Sequence, residues 1–80
     1  MIKALATALT WHEQQAEESG ISYEVSFRTK SGQEYYPIEI HPFTLEDTEI
    51  ILQLKIEGEE EKVANLFLGV SEIESFLIVV

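Results

Sequence analysis

The sequence predicts an α+β domain, mainly β: an N-terminal helix followed by a five-stranded antiparallel meander curled into a small barrel. Three observations predict it. Ile2 to Ser19 has the composition and apolar spacing of one helix, Ile21 to Arg28 alternates with period two, and further strand patterns follow through short connections. Connections this short favour antiparallel pairing of neighbours, since parallel strands need a crossover of a dozen residues or more. Eighty residues hold one core, and a chain of that size buries only about 60% of its unfolded surface. Residues 1–80 are therefore one domain, with the helix in 1–20 and the strands in 21–80.

In the helix, Ile2, Leu5, Leu9, His12 and Ala16 recur near the helical period, and Gly20 is a natural stop. Thr10 with Glu13 also forms a capping-box pattern that would restart the helix at Trp11; a single helix is the preferred reading. The first strand has Ile21, Tyr23, Val25 and Phe27 facing the core, and Thr29-Lys30-Ser31-Gly32 supplies the turn after it. A second strand from Gln33 to His41 buries Tyr36, Ile38 and Ile40 by the same alternation. Pro37 lacks an N–H and places an edge or bulge there. Pro42 to Asp47 is a loop with Phe43 and Leu45 as apolar anchors.

The third strand, Thr48 to Glu57, puts Ile50, Leu52, Leu54 and Ile56 on one face, and Gly58-Glu59-Glu60 forms a tight turn. The fourth strand, Glu61 to Val70, buries Ala64, Leu66, Leu68 and Val70 and leaves Val63 and Phe67 on the opposite face. Ser71 to Glu74 makes one helical turn, and Phe76-Leu77-Ile78-Val79-Val80 is a continuous apolar run expected to be covered on both sides.

The preceding helix, the turn at Gly32, the strand ending at Pro42 with Leu45 beyond, the amphipathic third strand and the run Phe67-Leu68-Gly69-Val70-Ser71-Glu72-Ile73-Glu74-Ser75 give the stretch from Ile21 to Ile78 a resemblance. It resembles the small Sm-like barrel of WYL-type ligand-sensing domains of bacterial regulators. That resemblance implies the barrel and, by analogy, small-ligand sensing. It implies no site residues here, because Ile51-Leu52 stands where the aromatic pair of that family is expected. The alternative architecture is a cystatin-like curved sheet wrapped around the helix.

The net charge is −10, with fifteen acidic residues against five basic ones. Nine of the acids lie in residues 46–80, beside two lysines. Binding nucleic acid or an anionic membrane normally needs a Lys/Arg footprint, which this composition opposes. An apolar content of 45% is that of a folded domain. The absence of cysteine removes disulfides and thiolate metal sites and points to a reducing, cytoplasmic setting. Met1 to Leu9 has the lysine and small apolar run of a targeting segment, but its threonines and short length make it part of the helix instead.

No constellation carries chemistry. His12-Glu13 opens like a helical zinc-protease motif, yet the position one turn on is Ala16 and the only other histidine is His41. The carboxylates cluster in turns instead of in a closed pocket that would tune them for proton transfer. The glycines are isolated and the serines lack a nucleophile-elbow context. The expectation is a non-enzyme with no cofactor and no metal.

What remains is binding. Trp11, Tyr35 and Phe43 are candidate partner-contacting aromatics, and Glu57, Glu59, Glu60 and Glu61 are candidate contacts to a basic protein surface. The leading expectation is an acidic protein-binding module: a small regulator, adaptor or accessory subunit. The alternatives are an inhibitor imitating the phosphate pattern of nucleic acid, and the ligand sensor that the resemblance implies. The apolar last strand also makes a homodimer a candidate assembly.

Overall fold

The computed structural model describes residues 1–80 as one helix and six strands in two antiparallel sheets. Helix α1 spans Ile2–Ser19, and the strands are β1 (Glu24–Thr29), β2 (Glu34–Tyr35), β3 (Glu39–Ile40), β4 (Glu49–Ile56), β5 (Glu59–Gly69) and β6 (Ile73–Val79). Sheet A has the order β2-β1-β6 and sheet B the order β3-β4-β5. The molecule measures 33 × 31 × 20 Å, and the short dimension has room for two layers of secondary structure, since packed sheets lie about 10 Å apart.

Helix α1 is continuous, as its periodicity requires. Leu5 is fully buried, and Ile2, Leu9, His12 and Ala16 are half-buried along the same stripe. Thr10 donates its hydroxyl to the Ala6 carbonyl (2.9 Å) and so caps nothing, which removes the restart at Trp11. Gly20 ends the helix at φ 68°, and its N–H donates to the Ala16 carbonyl. Only a residue without Cβ adopts that left-handed geometry at little cost.

The turn after β1 is built around Thr29, a polar residue only 5% exposed. Its hydroxyl accepts from the Gln33 N–H (3.1 Å) and is hydrogen-bonded to Ser31 Oγ (2.9 Å). The Thr29 side chain thereby does part of the work of a backbone ladder, which satisfies its burial.

The second predicted strand is broken in two, and Pro37 is the reason. Proline donates no ladder bond, so pairing stops at Tyr35 in sheet A and resumes in sheet B, where the Ile38 N–H donates to the Gln53 carbonyl (2.8 Å). The break corrects the predicted burial. Register sets Tyr35 opposite Phe27, which brings Tyr35 against the core and leaves Tyr36 68% and Ile38 56% exposed; of the three expected inside, only Ile40 packs there. Ile21 and Leu45, also expected to be anchored, are exposed as well.

A second crossing returns the chain from sheet B to sheet A. A three-residue 3-10 turn, Val70–Glu72, joins β5 to β6, and β6 then pairs with β1 along its whole length. The Lys30 N–H donates to the Glu72 carbonyl (2.9 Å), tying this crossing to the β1–β2 turn. Because β1 takes β6 as a neighbour, the strands do not form one sequential five-stranded sheet.

Six buried residues, Leu5, Phe27, Ile50, Leu52, Leu68 and Ile73, form the core where α1 and the two sheets meet. The β4 face predicted from alternation is the buried one. The hairpin turn falls at Glu57–Gly58, one residue earlier than expected, with Gly58 at φ 82°.

β6 departs most from expectation. Its register slips between Arg28 and Thr29, which face Ser75 and Ile73, so Glu74 is an extra residue in a bulge. Strict alternation with Phe76 and Ile78 would have turned Glu74 into the core; the bulge turns Ile73 in instead, 4% exposed. Beyond it Leu77, Val79 and Val80 are 61%, 53% and 75% exposed. The apolar run is covered on one face only.

Candidate binding surface

The outer face of sheet B is assembled by strand parity. With Ile50 and Leu52 turned inward, Ile51, Gln53 and Lys55 of β4 point outward, and register places Phe67, Asn65 and Val63 of β5 opposite them. Phe67 is 63% and Val63 45% exposed, a large apolar surface on a polar face. The acidic hairpin adjoins it. Register passes from Lys55 facing Val63 directly to Ile56 facing Glu59, so Glu60, Glu61 and Lys62 have no facing residue on β4.

All four predicted carboxylates, Glu57, Glu59, Glu60 and Glu61, are brought together and exposed at this tip. Lys62 meets Glu59 at 3.4 Å in an exposed pair, and the other three make no ion pair. The tip therefore carries uncompensated negative charge next to Val63, while Phe67, paired with Ile51, lies about 20 Å further along the same strand.

The aromatic candidates separate. Trp11 is 55% exposed on α1, with its ring edge-on to His12 at 4.8 Å. Tyr35 and Phe43 are half-buried and packed against the core, so neither is free as a contact surface. Phe67 takes the place sequence reasoning allotted to them. The signal was present: Phe67 falls between Leu66 and Leu68, and alternation puts only one of the two parities inside.

A second concavity, about 980 Å³, runs between α1, the β1–β6 pair and the Tyr36–Phe43 segment. Tyr36, Ile38, Leu77 and Val79 supply its exposed apolar walls, and Glu13, Glu24 and Glu39 its charges. Tyr36 donates to Glu34 Oε2 (2.9 Å); that hydrogen bond, then the carboxylate's charge, holds the phenol above its ordinary 10.0. Tyr23, 5.5 Å from the His12 ring, is also raised, by burial first and by the charge of Glu13 second.

No three His, Asp or Glu side chains gather closely enough to hold a metal ion, and no helix is long and apolar enough to cross a membrane. No family model, curated protein or solved structure matches the chain.

Proposed function

We propose that the domain is a non-enzymatic protein-binding module, a small cytoplasmic regulator, adaptor or accessory subunit, which uses the outer face of sheet B. The observation that carries this reading is Phe67, 63% exposed on a strand whose tip bears four carboxylates. An exposed aromatic with a charged patch further along the same face is the composition of a contact surface with an apolar anchor and a polar rim. The complementary partner surface is an apolar pocket ringed by Lys or Arg. Charge attraction speeds encounter and makes the complex salt-sensitive.

The barrel belongs to the same reading. Joined at Pro37, β2 and β3 are one bent strand, and the order β6-β1-β2/β3-β4-β5 is that of a small, partly open barrel with α1 across it.

The test is affinity capture at low salt with a rising-salt elution, comparing the natural chain with Phe67→Ala and with a chain in which Glu57, Glu59, Glu60 and Glu61 are all changed to Lys. A basic protein retained by the natural chain and lost from both variants supports the module. Equal retention by all three rejects it. Small-ligand sensing is the second reading, supported by the 980 Å³ groove; a metabolite screen with no rise in melting temperature rejects that one.

A further inference from the structure

β6 is an edge strand, bonded to β1 on one side and facing no strand on the other. The other long edge strand, β5, carries Glu59, Glu60, Glu61 and Lys62 at its start, and charges along an edge discourage another strand from adding to it. β6 has no such guard. Its one charge, Glu74, sits in the bulge, so Ser75–Val79 is a regular run without charge.

We infer that this edge pairs with a second copy of the chain, antiparallel, about a two-fold axis at Leu77. A strand paired with its own copy is self-complementary. Leu77 of one copy then faces Leu77 of the other, Phe76 faces Ile78, and Ser75 faces Val79. Parity keeps Leu77 and Val79 on the outer face of sheet A and Phe76 and Ile78 toward the two cores. Each Glu74 falls outside the charge-free overlap, and the two three-stranded sheets become one.

Charge selects the occupant. Each chain carries −10, so two copies repel and can meet only where carboxylates are absent. Ser75–Val79 meets that condition, whereas pairing through the charged start of β5 would set Glu59 of one copy opposite Glu61 of the other, a like-charge contact that is destabilising. A lysine-bearing partner of the kind proposed for sheet B finds no carboxylate on this run. The salt response is also opposite: screening relieves repulsion between copies and strengthens the dimer, while it weakens binding to a basic partner.

The chain has no cysteine, so one introduced thiol reports register. Leu77→Cys in the full chain, oxidised in solution, is expected to give a disulfide-linked dimer, because facing residues of an antiparallel pair hold their Cβ atoms about 4.5–5.5 Å apart. Phe67→Cys, equally exposed on sheet B, is the control expected to stay monomeric. Light scattering of the natural chain is expected to give twice 9.1 kDa, with the dimer favoured as salt rises. Leu77→Lys should return the mass to that of one chain with an unchanged circular dichroism spectrum. A single-chain mass at every concentration and salt, a mass of three or more copies, or equal cross-linking of the two cysteine variants overturns the inference. None of these outcomes depends on whether sheet B binds a partner.

Discussion

The two long edge strands of this molecule, β5 and β6, face the same physical problem and meet it differently. β5 ends sheet B with eleven residues, four of them charged in succession at its start, and an interrupted register that leaves three without a facing residue. β6 ends sheet A with seven residues and one charge, displaced into a bulge. An unpaired row of N–H and C=O groups invites another strand unless charge or irregularity blocks it. The difference teaches that the net charge of −10 is not spread evenly as a solubilising coat. It guards the start of β5 and is absent from Ser75–Val79 of β6.

The largest effect is expected where the two sheets stop being separable. Phe27 belongs to sheet A but sits 1% exposed in the same core as Ile50 and Leu52 of sheet B. Phe27→Ala should cost about 3–5 kcal/mol, a large share of the about 5–15 kcal/mol that holds a domain folded. Urea titration followed by fluorescence of Trp11 is the measurement. Loss of sheet A alone, with sheet B amides still protected from exchange, would show two cores where the structure has one.

Next come the two hairpin turns. Gly32 at φ 90° and Gly58 at φ 82° have open space around a would-be Cβ, so a substitution there meets backbone strain and no clash. Changing either to Ala should cost about 1–2 kcal/mol. The Gly58 variant should also loosen amides of the β4–β5 tip in hydrogen exchange, and the Gly32 variant those of β1 and β2.

The edges themselves sharpen the comparison. Changing Glu59, Glu60 and Glu61 to Gln removes the guard from β5 and should make the chain associate through sheet B, seen as concentration-dependent light scattering that survives Leu77→Lys. Unchanged scattering would mean that the bulged register, not the charge, protects that edge.

The smallest effects belong to exposed polar pairs. The Arg28–Glu34 contact is 4.0 Å long and exposed on both sides, so Arg28→Ala should change stability by less than about 1 kcal/mol. Glu34→Gln should lower the titration of Tyr36 toward its ordinary value in an ultraviolet absorbance titration. The sign follows from a phenol raised above 10.0: whatever the Tyr36–Glu34 contact contributes is present below that pH and is lost as pH rises through the folded-state value.

Much of this architecture was legible in the residues. The helix with its stop at Gly20, the inward face of β4 and the gathering of Glu57, Glu59, Glu60 and Glu61 at a turn follow from local rules, because helical period, strand alternation and glycine's access to positive φ need no knowledge of neighbours. Tyr36 and Ile38 were misplaced by the same rules. Alternation assumes an unbroken strand, and once Pro37 interrupts the ladder the facing of Tyr35 is decided by its pairing with Phe27. Phe67 was seen to lie off the buried face; its place opposite Ile51 on the outer face of sheet B needed the β4–β5 register.

By itself, then, the sequence determined element types, the N-terminal helix, the antiparallel pairing of short-linked strands and the acidic bias of the second half, all of which depend on spacing along the chain. Only the tertiary structure decided that β1 pairs with β6, that Glu74 bulges so Ile73 can enter the core, and that one face of the last strand is left open. Those outcomes rest on contacts between residues some fifty positions apart, where burial of one side chain dictates the phase of a distant strand, and no local pattern encodes that phase.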